Sequence, residues 1–179
     1  MHKLQVALIW HMHQPDYRDP TSGQSLLPWT YLHAVKDYSE MLRTAQEVPG
    51  TRVTFNLVPT LLEQLSDYAE GRAQDVWLQA TRKDPAAMDW EERAFLVNSL
   101  FSVHHERHVE PHSRYRELAR LRGEGDAAAA GRFQVQDLRD LQVWFLLAWA
   151  GHYLRRESGT VKALLQQGSS FTEADKQAL

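Results

Sequence analysis

Leu4 to Trp10 is a nearly continuous apolar run, followed at once by His11-Met12-His13-Gln14-Pro15. A run that short, with apolar side chains at odd and even places alike, suits a strand buried on both faces. Strands of that kind belong to parallel sheets. The next stretches agree. A polar loop from Asp16 to Gln24 leads to a helix opening at Pro28, whose Trp29, Leu32, Val35, Tyr38, Leu42 and Ala45 share one face, and Pro49-Gly50 ends it. Arg52 to Val58 reads as a second strand, which Pro59 breaks. Thr60 with Glu63 then forms a capping box for a helix using Leu61, Leu62, Leu65 and Tyr68, ended by Gly71. Strand, loop, helix, strand, helix is the opening of a parallel α/β fold, because parallel neighbours need such a crossover.

After Gly71 the pattern is helical. Asp75 to Lys83 reads as a short helix, and Asp89 with Glu92 as a capping box for a longer one. Ser113 starts another helix, and Gly123 to Gly131 reads as a flexible connector. A long helix follows from about Gln136, Thr160 caps a short one, and Gly168 closes it. No third strand and no repeat emerges, so residues 72–179 read as a helical insertion beside the α/β start at 1–71. Thr172 to Asp175 is a further helix-start signature, and the chain stops barely two turns later at Leu179. A helix so short is unstable alone, and two strands leave a sheet edge unpaired. The chain therefore reads as cut at its C-terminus.

The chain has 179 residues, with 43% hydrophobic and 24% charged residues and a net charge of −3. That is a globular composition with no electrostatic footprint for nucleic acid or an anionic membrane. Its longest apolar stretches fall far short of the ~20 residues that span a bilayer. No signal peptide is recognisable at the start, and a cytoplasmic location is expected. Zero Cys excludes disulfides, thiol nucleophiles and Cys-based metal centres.

The pair His11 and His13 carries the most chemistry. Residues two apart in a strand face the same way, and Pro15 sets the pair at the strand's C-terminal edge, where parallel α/β folds hold their ligands. Neutral imidazoles there can bond sugar hydroxyls, hold a metal or shuttle a proton; alternatively one is a satisfied structural His and the other is solvated. The cluster His104, His105, His108 and His112 lacks the spacing of a zinc-protease motif and reads as a solvated helix end. Trp144, Phe145 and Trp149 fall at helical spacing and read as core.

His13-Gln14-Pro15, preceded by its strand and His11, resembles the first signature of glycoside hydrolase family 57, the α-amylases, 4-α-glucanotransferases and branching enzymes. Leu27-Pro28-Trp29, Leu32-His33-Ala34, Lys36-Asp37-Tyr38, Thr54 to Pro59 and Leu61 to Leu65 continue the likeness. Asp137 to Phe145 is similar to the family's helical insertion. The resemblance implies the N-terminal portion of an incomplete parallel (β/α)7 barrel and a retaining enzyme acting on an α-1,4-glucan or maltooligosaccharide, without a cofactor. Retention uses a Glu nucleophile and an Asp acid/base about 5–5.5 Å apart. In the family both come from later regions, and no segment here matches either, so this chain is expected to lack the catalytic pair. It also implies that His11 and His13 bond hydroxyls of the reacting glucose, with Gln14 holding the loop or touching sugar. Asn56 either orients His13 or binds sugar, or else satisfies backbone at the strand end. Trp29 either offers a face to a glucose ring or packs in the helix's apolar face. Tyr17 and His33 are weaker candidates for the rim.

Two rivals remain. A metal-dependent amidohydrolase or sugar deacetylase would use His11 and His13 as metal ligands. A non-catalytic fragment would bind no sugar. Oligomeric state is not legible in the sequence.

Overall fold

A computed structural model describes residues 4–126 and 128–179. The chain is a mostly helical α/β protein with a two-stranded parallel sheet. It divides into a first unit ending at Asp75 and a second, Val76–Leu179.

In the first unit, β1 (Ile9–Met12) runs parallel to β2 (Thr54–Leu57), with Ile9 opposite Thr54, Trp10 opposite Phe55, His11 opposite Asn56 and Met12 opposite Leu57. Trp10 and Phe55 meet edge to face at 5.2 Å across this register. The ladder begins later than the apolar run and extends to His11 and Met12. Leu4, Val6, Leu8 and Ile9 are 90%, 75%, 54% and 63% exposed. The expectation of a strand buried on both faces is thus corrected. Among the described residues β2 is the only strand beside this run, and one neighbour cannot shield both faces and both edges.

The helix after the long loop is also different in kind. It runs as α1 (Trp29–His33), a π-helical turn (Ala34–Tyr38) and α2 (Ser39–Glu47). The wide turn shifts the winding, so the single apolar face expected from Trp29 to Ala45 does not persist. α1 buries Thr30 and Leu32, while α2 buries nothing and leaves Leu42 exposed. α3 (Pro59–Ala69) starts one residue earlier than the expected capping box allows. Proline, which has no N–H to lose, takes the first helical position. Thr60 then lies inside the first turn, and its hydroxyl donates to the Gln14 carbonyl at 3.1 Å.

The second unit contains α4 (Val76–Arg82), α5 (Trp90–Ser99), α6 (Ser113–Arg122), α7 (Val135–Trp149), α8 (His152–Glu157), α9 (Gly159–Gln167) and α10 (Glu173–Ala178). The Asp89/Glu92 and Thr172/Asp175 boxes form as the sequence predicts. Ser158, not Thr160, caps α9, and Gly168 ends it in the left-handed region at φ +73°, where glycine carries no Cβ penalty. α7 is the core helix and buries nine of its residues, among them Leu138, Leu141, Trp144 and Phe145. Its two buried polar groups are both satisfied. Asp140 accepts from Arg114, Gln136 and the Ser170 and Phe171 amides. The Gln142 amide donates to the Ala80 and Lys83 carbonyls, which Lys176 also reaches. No helix among the described residues is long and apolar enough to cross a membrane.

Candidate functional site

Strand alternation sets up the site. Met12 and Gln14 turn inward, at 6% and 9% exposure, while His11 and His13 turn outward. The two imidazoles stack, with ring centroids 5.7 Å apart and planes 18° from parallel. Register puts Asn56 opposite His11, not His13, and Asn56 is exposed at the same end of the sheet. Neither imidazole nor the Asn56 amide makes a hydrogen bond among the described residues, so three neutral polar groups with spare donors and acceptors stand at the C-terminal end of a parallel pair.

Gln14 is placed differently from the histidines. Its Oε1 accepts from the Tyr17 hydroxyl at 2.7 Å, and its Nε2 donates to the Tyr38 hydroxyl at 2.9 Å. Burial, with Tyr38 nearby, pushes the Tyr17 phenol above its ordinary pKa, so it remains an O–H donor at neutral pH. The π-helical turn ends at Tyr38, and it is this residue that meets Gln14. π-turns recur at functional sites.

The chain beyond the pair is held by a residue that the sequence reading passed over. Gln64 on α3 is 2% exposed. Its Nε2 donates to the Pro15 carbonyl at 2.9 Å and to the Thr60 carbonyl at 3.0 Å. Its Oε1 accepts from the Thr30 hydroxyl at 3.1 Å and from the Tyr17 amide at 3.4 Å. The available signal was its position. Gln64 stands three residues after Leu61 and four before Tyr68, a polar residue on the stripe expected to be apolar. Arg18 secures the next turn: it grips Asp16 with two nitrogens and reaches Glu63 and Asp67, each at 3.1 Å.

Trp29 opens α1, half-buried. His33, one of the weaker rim candidates, pairs through Nδ1 with Asp37, which also takes Lys36. Burial raises the Asp37 carboxyl pKa, but hydrogen bonds from Lys36 and His33 outweigh it and hold the group below the usual carboxylate range. Asp16 is held low by Arg18. Asp16, Asp37, Glu63 and Asp67 are thus each committed to a cation in this unit.

The second histidine cluster does not converge. His104 and His105 are exposed around a second π-helical turn (His105–Val109), and His105 faces Glu110 at 3.5 Å. His112 is not the solvated helix end that the sequence suggests: its ring lies 4.4 Å from that of Trp144, centroid to centroid. Among the described residues no group of three or more His, Asp or Glu side chains is arranged to hold a metal ion. Trp144 and Phe145 are core residues, 2% and 1% exposed.

Comparison with known proteins matches one family model, described as glycosyl hydrolase family 57, over residues 7–177. No curated protein and no solved structure matches the chain. The match spans the His-Gln-Pro segment, both strands and the helical unit, and this chain belongs to glycosyl hydrolase family 57.

Proposed function

We propose that this chain supplies the substrate-binding part of a retaining enzyme acting on α-1,4-glucans, by hydrolysis or by glucanotransfer, and that the carboxylate pair of the reaction lies outside it. Family membership supports glycosidase or transglycosylase chemistry on a glucan. The observation that carries the finer reading is the stacked pair His11 and His13, exposed and without hydrogen-bond partners beside Asn56. Glucose presents several adjacent hydroxyls, each a donor and an acceptor. Two neutral imidazoles and an amide offer the matching set without a charge to desolvate. The acids of the same unit are tied to Arg18, Lys36 and Arg72. None of them is proposed as nucleophile or general acid.

The test is calorimetric titration of the purified chain with maltotriose, with the imidazole NMR signals followed in parallel. Weak binding, of about millimolar Kd or ~4 kcal/mol, is expected to perturb His11 and His13. His13→Ala should weaken it about fivefold, the worth of one neutral hydrogen bond of ~1 kcal/mol, with the thermal midpoint unchanged because the side chain is exposed. Absence of binding would refute the reading. Stoichiometric zinc that shifts the same imidazoles would favour a metal-dependent hydrolase in its place.

A further inference from the structure

Resting on that reading, we infer that Gln64 is a positioning residue for the sugar site: its amide fixes the backbone from which the His11–His13 pair projects. His13 has no side-chain bond of its own among the described residues, so its position comes from the main chain. The two carbonyls that follow it are both held by α3. Thr60 Oγ1 donates to the Gln14 carbonyl at 3.1 Å, and Gln64 Nε2 to the Pro15 carbonyl at 2.9 Å. Gln64 Oε1 also takes the Tyr17 amide. Between clamp and imidazole lie only the backbone torsions of two residues.

The residue type is dictated by this arrangement. A primary amide has two N–H donors and two acceptor lone pairs. Gln64 uses all four, on Pro15, Thr60, Thr30 and Tyr17. An apolar side chain of the same size would fill the space and leave the Pro15 and Thr60 carbonyls unmatched by Gln64. A carboxylate would set negative oxygen against both carbonyls and could donate only once protonated. Leu would suit this stripe better if packing alone mattered, since burying a polar group is favourable only when it is fully bonded.

The experiment compares wild type, Gln64→Leu and Gln64→Glu for maltotriose affinity and for the His11 and His13 imidazole signals, between pH 5 and pH 8. Gln64→Leu is expected to weaken binding about tenfold and to shift or broaden both imidazole signals. Gln64→Glu is expected to bind nearly as wild type at pH 5, where the carboxyl donates to one carbonyl. Its affinity relative to wild type should fall progressively as pH rises. A purely structural role would lower the melting temperature without a pH-dependent affinity ratio. A ratio that stays flat with pH, or unchanged imidazole signals in both variants, would overturn the inference. If Gln64→Leu does not fold, Gln64→Glu alone decides through its pH profile. If wild type itself fails to bind maltotriose, the proposed function fails, and the imidazole signals of the variants still decide whether Gln64 positions the pair.

Discussion

Replacing Asp140 by alanine tests the best-defined energetic claim in the helical unit. The carboxylate is 1% exposed and accepts four hydrogen bonds: from Arg114 Nε at 2.7 Å, Gln136 Nε2 at 2.9 Å, the Phe171 amide at 3.0 Å and the Ser170 amide at 3.2 Å. Truncation does not strand Arg114, which keeps Asp137 at 2.6 Å and Glu117 at 3.0 Å. It does orphan two backbone N–H groups, and an unsatisfied buried donor costs about 1–3 kcal/mol. With the charge-assisted bond added, the expected loss is ~3–5 kcal/mol, the range found when one partner of a buried pair is removed. Against a total stability of about 5–15 kcal/mol that is a large fraction. Urea unfolding followed by Trp fluorescence measures it, since Trp144 packs edge to face on Phe171 at 6.2 Å, next to the lost bonds. Combining Arg114→Met with Asp140→Leu should recover part of the loss. It cannot recover all of it, because the two amides remain without an acceptor. A single-variant loss under about 1 kcal/mol, or full recovery in the double variant, would refute the assignment of Asp140 as the acceptor on which this turn depends.

Two further outcomes follow from the structure. Burial against Trp144, with Arg155 nearby, lowers the His112 pKa from its ordinary value. The unfolded chain then binds a proton that the folded state resists, so stability should rise with pH through the range just below ~6.5 and level off above it. His112→Gln should flatten that rise in a thermal-melt series, and a variant with the wild-type slope would disprove the cause. The exposed run Leu4, Val6, Leu8 and Ile9 is a contiguous apolar surface beside a sheet edge, which favours self-association. Val6→Lys should reduce association in light scattering, and identical behaviour of the two proteins would show that another surface is responsible.

Local signals were legible in the sequence wherever the chemistry is local. The Asp89/Glu92 and Thr172/Asp175 boxes, the left-handed Gly168 and the side-by-side projection of His11 and His13 each depend on residues within a few positions. What escaped depended on distant partners. The apolar run was read as doubly buried because an apolar pattern reports what a strand prefers, not what covers it. Tyr38 was assigned to an apolar face because a strict 3.6-residue period was carried through a turn of different pitch. Gln64 went unnoticed because its partners are mostly far along the chain: Pro15 lies 49 residues away, Tyr17 47 and Thr30 34. The functional roles of His11, His13, Gln14, Trp29 and Asn56 remain proposals for the titrations above.

The wide turn at Ala34–Tyr38 also makes the anchoring of the His-Gln-Pro segment depend on a count of residues. Each residue advances an α-helix by about 100°, so deleting one residue there would restore ordinary pitch and rotate everything after it by roughly that angle. The Tyr38 hydroxyl would swing off the Gln14 amide, and α2 would present a different side to its surroundings. A one-residue deletion is usually absorbed at a loop. Here it would act as a rotary fault, transmitted from the middle of a helix to a side chain 24 residues earlier in the chain.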